Sequence, residues 1–393
     1  MTYDFDTAND RRGTASTKWD RYESRYHLTD VIPLWVADMD FNCLPEVSQA
    51  IIKRAEHGIF GYTDVVDEVY QTIIDWELKH HQNNIEKAEI VMTTGVVYAI
   101  YSLVELLVKP QEKVIVQTPV YPPFFNTPKS LERTVVYNPL LYDGSTWTMN
   151  FEDLDEQLSK DPSIRMMILC NPHNPVGRCW KYEELEKLCE ICRKYHVWLV
   201  SDEIHGDLIL KPHQLHSIYT MPKRYHDNLI LLGSPTKTFN LAGLKISYAV
   251  IKNPKLKEAL AVQAKASGLS SINIFGLEAL NAAYRYGDKW LEECLDYIDH
   301  NFDYTITYLQ KHLPKAVCNK PEATYMAWVD LRAMMLPADI CEQLKQKGHV
   351  ELQGGAGFGA GFEEWQRINL ACPRATLEKG LKRMCDTLNE IKQ

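Results

Sequence analysis

Four short apolar runs punctuate the first two thirds of the chain. They are Val114-Ile115-Val116, Met166-Met167-Ile168-Leu169, Val197-Trp198-Leu199-Val200 and Leu229-Ile230-Leu231-Leu232. Each run is continuous rather than alternating, the pattern of strands covered on both faces in a mostly parallel sheet. Stretches of helical period separate them, at 97–107, 151–159 and 182–195. Strand and helix in turn predict a large, doubly wound α/β domain. Ligands of such sheets bind beyond the carboxyl ends of the strands.

The pattern changes after about residue 285. A long helical stretch, 290–312, leads into strand-like segments at 324–331 and 366–371 with a helix between them. This reads as a smaller α+β domain. The expected division is therefore 1–50 as an N-terminal segment packing with the small domain, 51–285 as the large domain, and 286–393 as the small domain. The glycine-rich stretch from Gly354 to Gly361 lacks the following Gly-Lys of a phosphate loop and is expected to be a mobile loop on the substrate side. No internal repeat is visible.

Three strings follow three of the apolar runs. Asn171-Pro172-His173-Asn174-Pro175 offers a turn with an amide side chain. Ser201-Asp202-Glu203-Ile204-His205 offers a carboxylate leaving a buried strand, and Ser234-Pro235-Thr236-Lys237-Thr238 a lysine framed by hydroxyls. A cofactor with a phosphate, a basic ring nitrogen and an aldehyde needs that set, and pyridoxal phosphate is such a cofactor. Most lysines are solvated surface charges. Lys237 differs, with an apolar strand before it and Phe239 to Leu244 after it. It could hold the cofactor as a Schiff base, given surroundings that keep its amine neutral.

The other roles follow from this centre. Asp202 needs a partner if its strand is buried; a pyridinium nitrogen is one, and a plain helix cap is the competing reading. Asn174 and His205 could face the cofactor's phenolate oxygen. Ser234 and Lys245 could take phosphate oxygens, as could the backbone N–H groups of Gly95, Val96 and Val97 at a helix start. Tyr121, leaving the strand at 114–117, could stack on the ring or simply plug a proline-rich turn.

Composition narrows the classes. The chain has 393 residues, 45% hydrophobic and 24% charged, with net charge −9. An acidic balance argues against a nucleic-acid partner, and no uninterrupted apolar window is long enough for a membrane span. The N-terminus carries no apolar leader, so a cytoplasmic location is expected. Ten cysteines show no framework spacing. Cys189 and Cys192 form a C-x-x-C but share the apolar face of a predicted helix with Leu185 and Leu188, and no metal is expected.

Taken together, the three strings resemble fold type I pyridoxal-phosphate enzymes, the aspartate-aminotransferase-like superfamily, over essentially the whole chain. Pro33-Leu34-Trp35-Val36-Ala37-Asp38-Met39-Asp40-Phe41 and the run from Lys237 to Lys245 narrow the resemblance to the MalY/PatB group of cystathionine β-lyases. The resemblance implies Lys237 as the Schiff-base and proton-transfer lysine, Asp202 on the ring nitrogen and Tyr121 on the ring. It implies Arg367 for the substrate α-carboxylate, with Ala37 on the substrate side. It also implies a homodimer with shared active sites, in which Tyr62 reaches the neighbouring subunit's phosphate. Ala37, His205 and Lys245 depart from the common aminotransferase residues and agree with the lyase subgroup. The expected reaction is α,β-elimination from a small sulfur amino acid. An aminotransferase and a non-catalytic cofactor-binding regulator are the rival readings.

Overall fold

The computed structural model describes residues 2–391. The chain divides into two units: 1–42 with 175–177 and 292–393, and 43–174 with 178–291. The expected boundaries near 50 and 285 thus become 42 and 291. The helix Pro45–Glu56 packs on Ile274–Tyr286 and so goes with the large unit.

The large unit is built on a seven-stranded sheet. Its strands in chain order are β1 (Ile90–Thr93), β2 (Lys113–Val116), β3 (Thr134–Tyr137), β4 (Ile164–Cys170), β5 (Trp198–Asp202), β6 (Leu229–Gly233) and β7 (Ser247–Val250). The spatial order is β1-β7-β6-β5-β4-β2-β3. Only β7 runs antiparallel to its neighbours. The four predicted runs became β2, β4, β5 and β6, and each is almost wholly buried because helices cover both faces. The helices used below are α1 (Asp67–His81), α2 (Val96–Leu107), α3 (Phe151–Lys160) and α4 (Tyr182–Lys194). Ile100, Leu103 and Val104 of α2 meet Val116, Ile168, Val200 and Ile230 in one apolar core. Cys189 and Cys192 of α4 are fully buried, on the apolar face as expected.

The small unit carries a four-stranded antiparallel sheet. Its strands are β8 (Val317–Cys318), β9 (Met326–Asp330), β10 (Gln353–Gly354) and β11 (Trp365–Asn369), in the order β8-β9-β11-β10. Ile32–Pro33 adds a short parallel pairing with Val350–Glu351. The glycine-rich stretch is not wholly a loose loop. Gly355 and Phe358 are buried, and a side chain on Gly355 would sit 2.0 Å from the Phe362 carbonyl oxygen. Gly355 is there for close backbone approach rather than for mobility. Among the described residues no helix is long and apolar enough to cross a membrane.

Candidate active site

Because β1, β2, β4, β5 and β6 run parallel, the loops after them leave one edge of the sheet. Gly95, Tyr121, Asn174, Asp202 and Lys237 all lie on those loops or at their starts. Asp202 is the last residue of β5, in register with Cys170 on β4 and Leu232 on β6. It is 5% exposed and accepts the Ile204 N–H at 3.1 Å. Burial pushes its pKa up to about 7, against the Ile204 N–H and the charge of Lys237, which both pull it down. A carboxyl poised in this way stays ionised when a cationic N–H faces it.

Lys237 is half-buried in a turn after β6. The turn closes through Phe239 N–H to the Pro235 carbonyl and Leu241 N–H to the Thr236 carbonyl, both at 2.9 Å. Phe239 is fully buried and anchors it. The Ser234 hydroxyl donates to the Ile246 carbonyl at 2.7 Å and accepts from the Thr236 N–H at 3.1 Å. Here Ser234 shapes the turn, and serving a phosphate requires its proton to rotate away from Ile246. Lys245 is exposed, in a left-handed conformation at φ 53°.

Gly95 precedes α2 at φ 145°, ψ 148°, a region open to glycine, and no capping side chain covers the first turn. The N–H groups at the start of α2, including those of Val96 and Val97, are left uncapped by any side chain. Asn174 is buried, and its N–H lies 3.4 Å from Cys170 Sγ. His173, beside it, donates through Nε2 to the Pro119 carbonyl at 2.8 Å, which ties this loop to the one carrying Tyr121. Burial lowers His173 to about 4, so it is neutral near pH 7. Tyr121 is half-buried, edge-on to Phe124. His205 is buried, one turn beyond Asp202.

In the small unit, Arg367 sits mid-strand on β11, opposite Trp328 and Gln353. It is 4% exposed, donates to the Trp35 carbonyl at 2.8 Å and lies 5.0 Å from the Phe358 ring centre. The Trp35–Asp38 segment is held against it. Asn369 donates to the carbonyls of Val36 and Asp38, each at 2.6 Å, and Tyr325 donates to the carbonyl of Ala37 at 3.0 Å. Tyr62, by contrast, is fully exposed on an extended segment of the large unit.

Several functional supports give no clear signal in the sequence. Asn369, two residues beyond Arg367, and Tyr325 hold the Ala37 segment. Glu203 accepts from the Ser201 and Ser217 hydroxyls and from the Ile218 N–H. Burial pushes it up to about 7. The Glu203 position beside Asp202 is visible in the sequence, but two adjacent carboxylates do not say which one faces a ligand. The donor set as a whole fits pyridoxal phosphate: a buried carboxyl at a strand end, a neighbouring lysine and a bare helix start.

Residues 29–384 match the family model described as aminotransferase class I and II. Over 381 residues the chain is 38% identical to cystathionine beta-lyase PatB of Bacillus subtilis, covering 97% of this chain and 98% of that one. It is similar to the crystal structure of cystalysin from Treponema denticola, which contains a pyridoxal 5′-phosphate cofactor. The TM-score is 0.96 and the identity 34%, covering 99% of this chain and 100% of that chain. A PLP-bound C–S lyase from Staphylococcus hominis matches with TM-score 0.93 and 32% identity, covering 99% and 98%. The matched span takes in Asp202, Lys237 and Arg367 with all the loops described above, and the chain belongs to the aminotransferase class I and II family.

Proposed function

We propose that this protein is a pyridoxal-phosphate-dependent carbon–sulfur β-lyase of the MalY/PatB group. Its substrates are L-cystathionine or related cysteine S-conjugates, and its products are pyruvate, ammonia and a thiol. The observation that carries the reading is Asp202, buried at the end of β5 and in range of the Lys237 charge. The full-length similarity to a cystathionine β-lyase narrows the chemistry to elimination.

When bound, pyridoxal phosphate supplies a carbonyl for the substrate amine and a ring that takes up the electron pair left at Cα. Asp202 keeps the proton on the ring nitrogen. Lys237 anchors the cofactor and carries the Cα proton. Arg367 takes the α-carboxylate as a two-pronged donor, with Ala37 on the substrate side. Tyr121 stacks on the ring, while Asn174 and His205 serve its phenolate oxygen. The N–H groups of Gly95, Val96 and Val97, with Ser234 and Lys245, take the phosphate. Tyr62 serves the phosphate of a second copy, so the working form is a homodimer. All ten cysteines are free thiols, which fits a reducing cytoplasm.

The test is product formation from cystathionine alone. Pyruvate, ammonia and homocysteine are expected continuously, with no ketoacid added. A stop after about one turnover per site, relieved by 2-oxoglutarate, identifies an aminotransferase instead. Bound cofactor with no thiol release from any of a panel of cysteine S-conjugates identifies a non-catalytic binder.

A further inference from the structure

A buried polar chain runs beneath the sheet edge of the large unit, and none of its interior members has a role in the chemistry above. It starts at Glu203, next to Asp202, and ends at Thr238, next to Lys237. Ser217 donates to Glu203 Oε2 at 2.5 Å, and Asn83 Nδ2 donates to Ser217 Oγ at 2.8 Å and to Glu77 Oε2 at 2.7 Å. His81, on the last turn of α1, has Nδ1 3.1 Å from Glu77 Oε2 and Nε2 2.8 Å from Asp207 Oδ1. Thr238 donates to Asp207 Oδ2 at 2.7 Å.

Both ring nitrogens of His81 face carboxylate oxygens, so both must carry protons and the ring is an imidazolium. A neutral ring would turn a lone pair onto one of two buried carboxylates. Burial alone would lower the His81 pKa, but the charges of Glu77 and Asp207 outweigh it and hold it well above its ordinary value. The surroundings agree. Tyr248 donates to Glu77 Oε1 at 2.5 Å, with the Tyr284 hydroxyl 3.1 Å behind it, and Trp76 Nε1 donates to Asp207 Oδ1 at 2.9 Å. His80 turns away to Asp288 at 2.8 Å. The chain is fully connected from Glu77 through His81 and Asp207 to Thr238, the part that can hold its members rigidly, while Asn83 Oδ1 is buried without a partner. Its two ends leave the loops on which the proposed cofactor residues stand.

We infer that His81 is a positioning residue for Lys237: clamped between Glu77 and Asp207, it fixes the carboxylate that holds Thr238 and so sets the turn from which Lys237 projects. The inference rests on the assignment of Lys237 above. It gives a buried charge in the core of the large unit a task that packing alone would not require, since an apolar group of similar volume would serve packing as well.

The holoenzyme loaded with pyridoxal phosphate tests it. Thr238→Val is nearly isosteric and removes only the final hydroxyl. It should move the pH midpoint of the lysine-bound cofactor's visible absorbance by about half a unit or more. It should also lower kcat about tenfold with KM within about twofold, because the amine loses its alignment. Thr238→Ser should restore both. His81→Gln should move the midpoint in the same direction, and adding Thr238→Val to it should change little further, as for two links of one chain. If His81→Gln does not fold, Thr238→Val and its serine rescue decide alone. An unmoved midpoint and unchanged kcat in Thr238→Val overturn the inference, as do effects of the two variants that simply add. A wild-type holoenzyme in which borohydride reduction does not fix the cofactor on Lys237 refutes the assignment of Lys237, and the inference falls with it; a cofactor fixed on Lys237 with a band that Thr238→Val leaves unmoved refutes only the inference.

Discussion

The ammonium of Lys18 is fully buried and lies 2.8 Å from Asp40 Oδ2. Arg11 reaches the same carboxylate at 2.7 Å and Asp38 at 2.7 Å, and Trp19 Nε1 donates to Asp40 Oδ1 at 2.9 Å. Two cations and two carboxylates thus fasten the N-terminal segment to the stretch that carries Trp35 and Ala37. Through Trp35 that stretch meets Arg367.

Removing one partner of a buried ion pair leaves the other charge inadequately solvated. Lys18→Met should destabilise the protein by about 3 kcal/mol, near the low end for a buried pair because Arg11 and Trp19 still serve Asp40. Urea unfolding reads this directly. Arg12→Ala, which breaks only the exposed pair with Asp10, should leave the midpoint where it is. Equal midpoints for all three proteins would show that the Lys18 ammonium is not held as described.

Asp202 and Glu203 give the cofactor-free protein a distinctive pH dependence. Burial pushes both up to about 7. In the unfolded chain both ionise near pH 4. Between those limits the folded state binds more protons, so these groups stabilise it at low pH and that contribution is lost as pH rises from about 4 to about 7. The slope is at most about 1.4 kcal/mol per pH unit for each group. Burial of His173, held at about 4, contributes with the opposite sign over part of the same window, so the carboxyls are read by difference: the midpoint of the cofactor-free protein minus that of its Asp202→Asn variant should fall as pH rises. Asp202→Asn should remove part of the slope, and pyridoxal phosphate should flatten it by keeping Asp202 ionised. A difference between the two proteins that rises across the window would contradict the raised Asp202 carboxyl.

Much of this arrangement is legible in the order of residues alone. Asp202 stands out because it closes an apolar run, a position where charge demands an explanation, and Lys237 because it lies in a hydroxyl-framed turn soon after another such run. The central strands are legible because burial on both faces makes them uniformly apolar. β1, β3 and β7 escape such a reading, since Ile90-Val91-Met92-Thr93, Thr134-Val135-Val136-Tyr137 and Ser247-Tyr248-Ala249-Val250 are short and partly polar. Lys18 and His81 give no signal at all. Each sits in a polar stretch that resembles surface, and its burial arises from residues distant in the chain: Asp38 and Asp40 for one, Asp207 for the other. The packing of Gly355 is hidden for a similar reason, because a run of glycines looks the same whether it is loose or pressed against backbone.

Gly355 therefore makes a sharp steric prediction. An added methyl would meet the carbonyl oxygens of Phe362 at 2.0 Å and Trp365 at 2.8 Å, neither of which can rotate away. Gly355→Ala should cost about 1–3 kcal/mol, as overpacking does. It should also shift Phe358, which lies against both Arg367 and Trp328. KM for cystathionine should rise more than kcat falls if Arg367 binds the carboxylate equally in the ground and transition states. Gly357→Ala, where the nearest atom is Gln353 Nε2 at 3.5 Å, should be tolerated. Equal tolerance of both substitutions would mean that the stretch is mobile after all.

The exposed segment around Tyr62 bears on the proposed homodimer. Tyr62 is 103% exposed, and Ile59, Phe60 and Val66 beside it are 67%, 59% and 58% exposed. Apolar surface gathered on one extended segment is the kind that a second copy covers. If the Tyr62 hydroxyl serves the neighbouring copy's phosphate, Tyr62→Phe should release pyridoxal phosphate faster on dialysis while the protein stays dimeric by sedimentation. Mixing is the stronger test. In the proposed dimer a complete site needs Lys237 from one copy and Tyr62 from the other. In a heterodimer of Tyr62→Phe with Lys237→Ala, one site has both and the other has neither. Free reassortment of equal amounts makes half of the dimers mixed and a quarter each parent, so activity should return to about a quarter of wild type plus about a quarter of each parent's own residual activity. Activity in the mixture that never exceeds the average of the parents, after reassortment has been shown by an isotope-labelled copy, would mean that each subunit completes its own site.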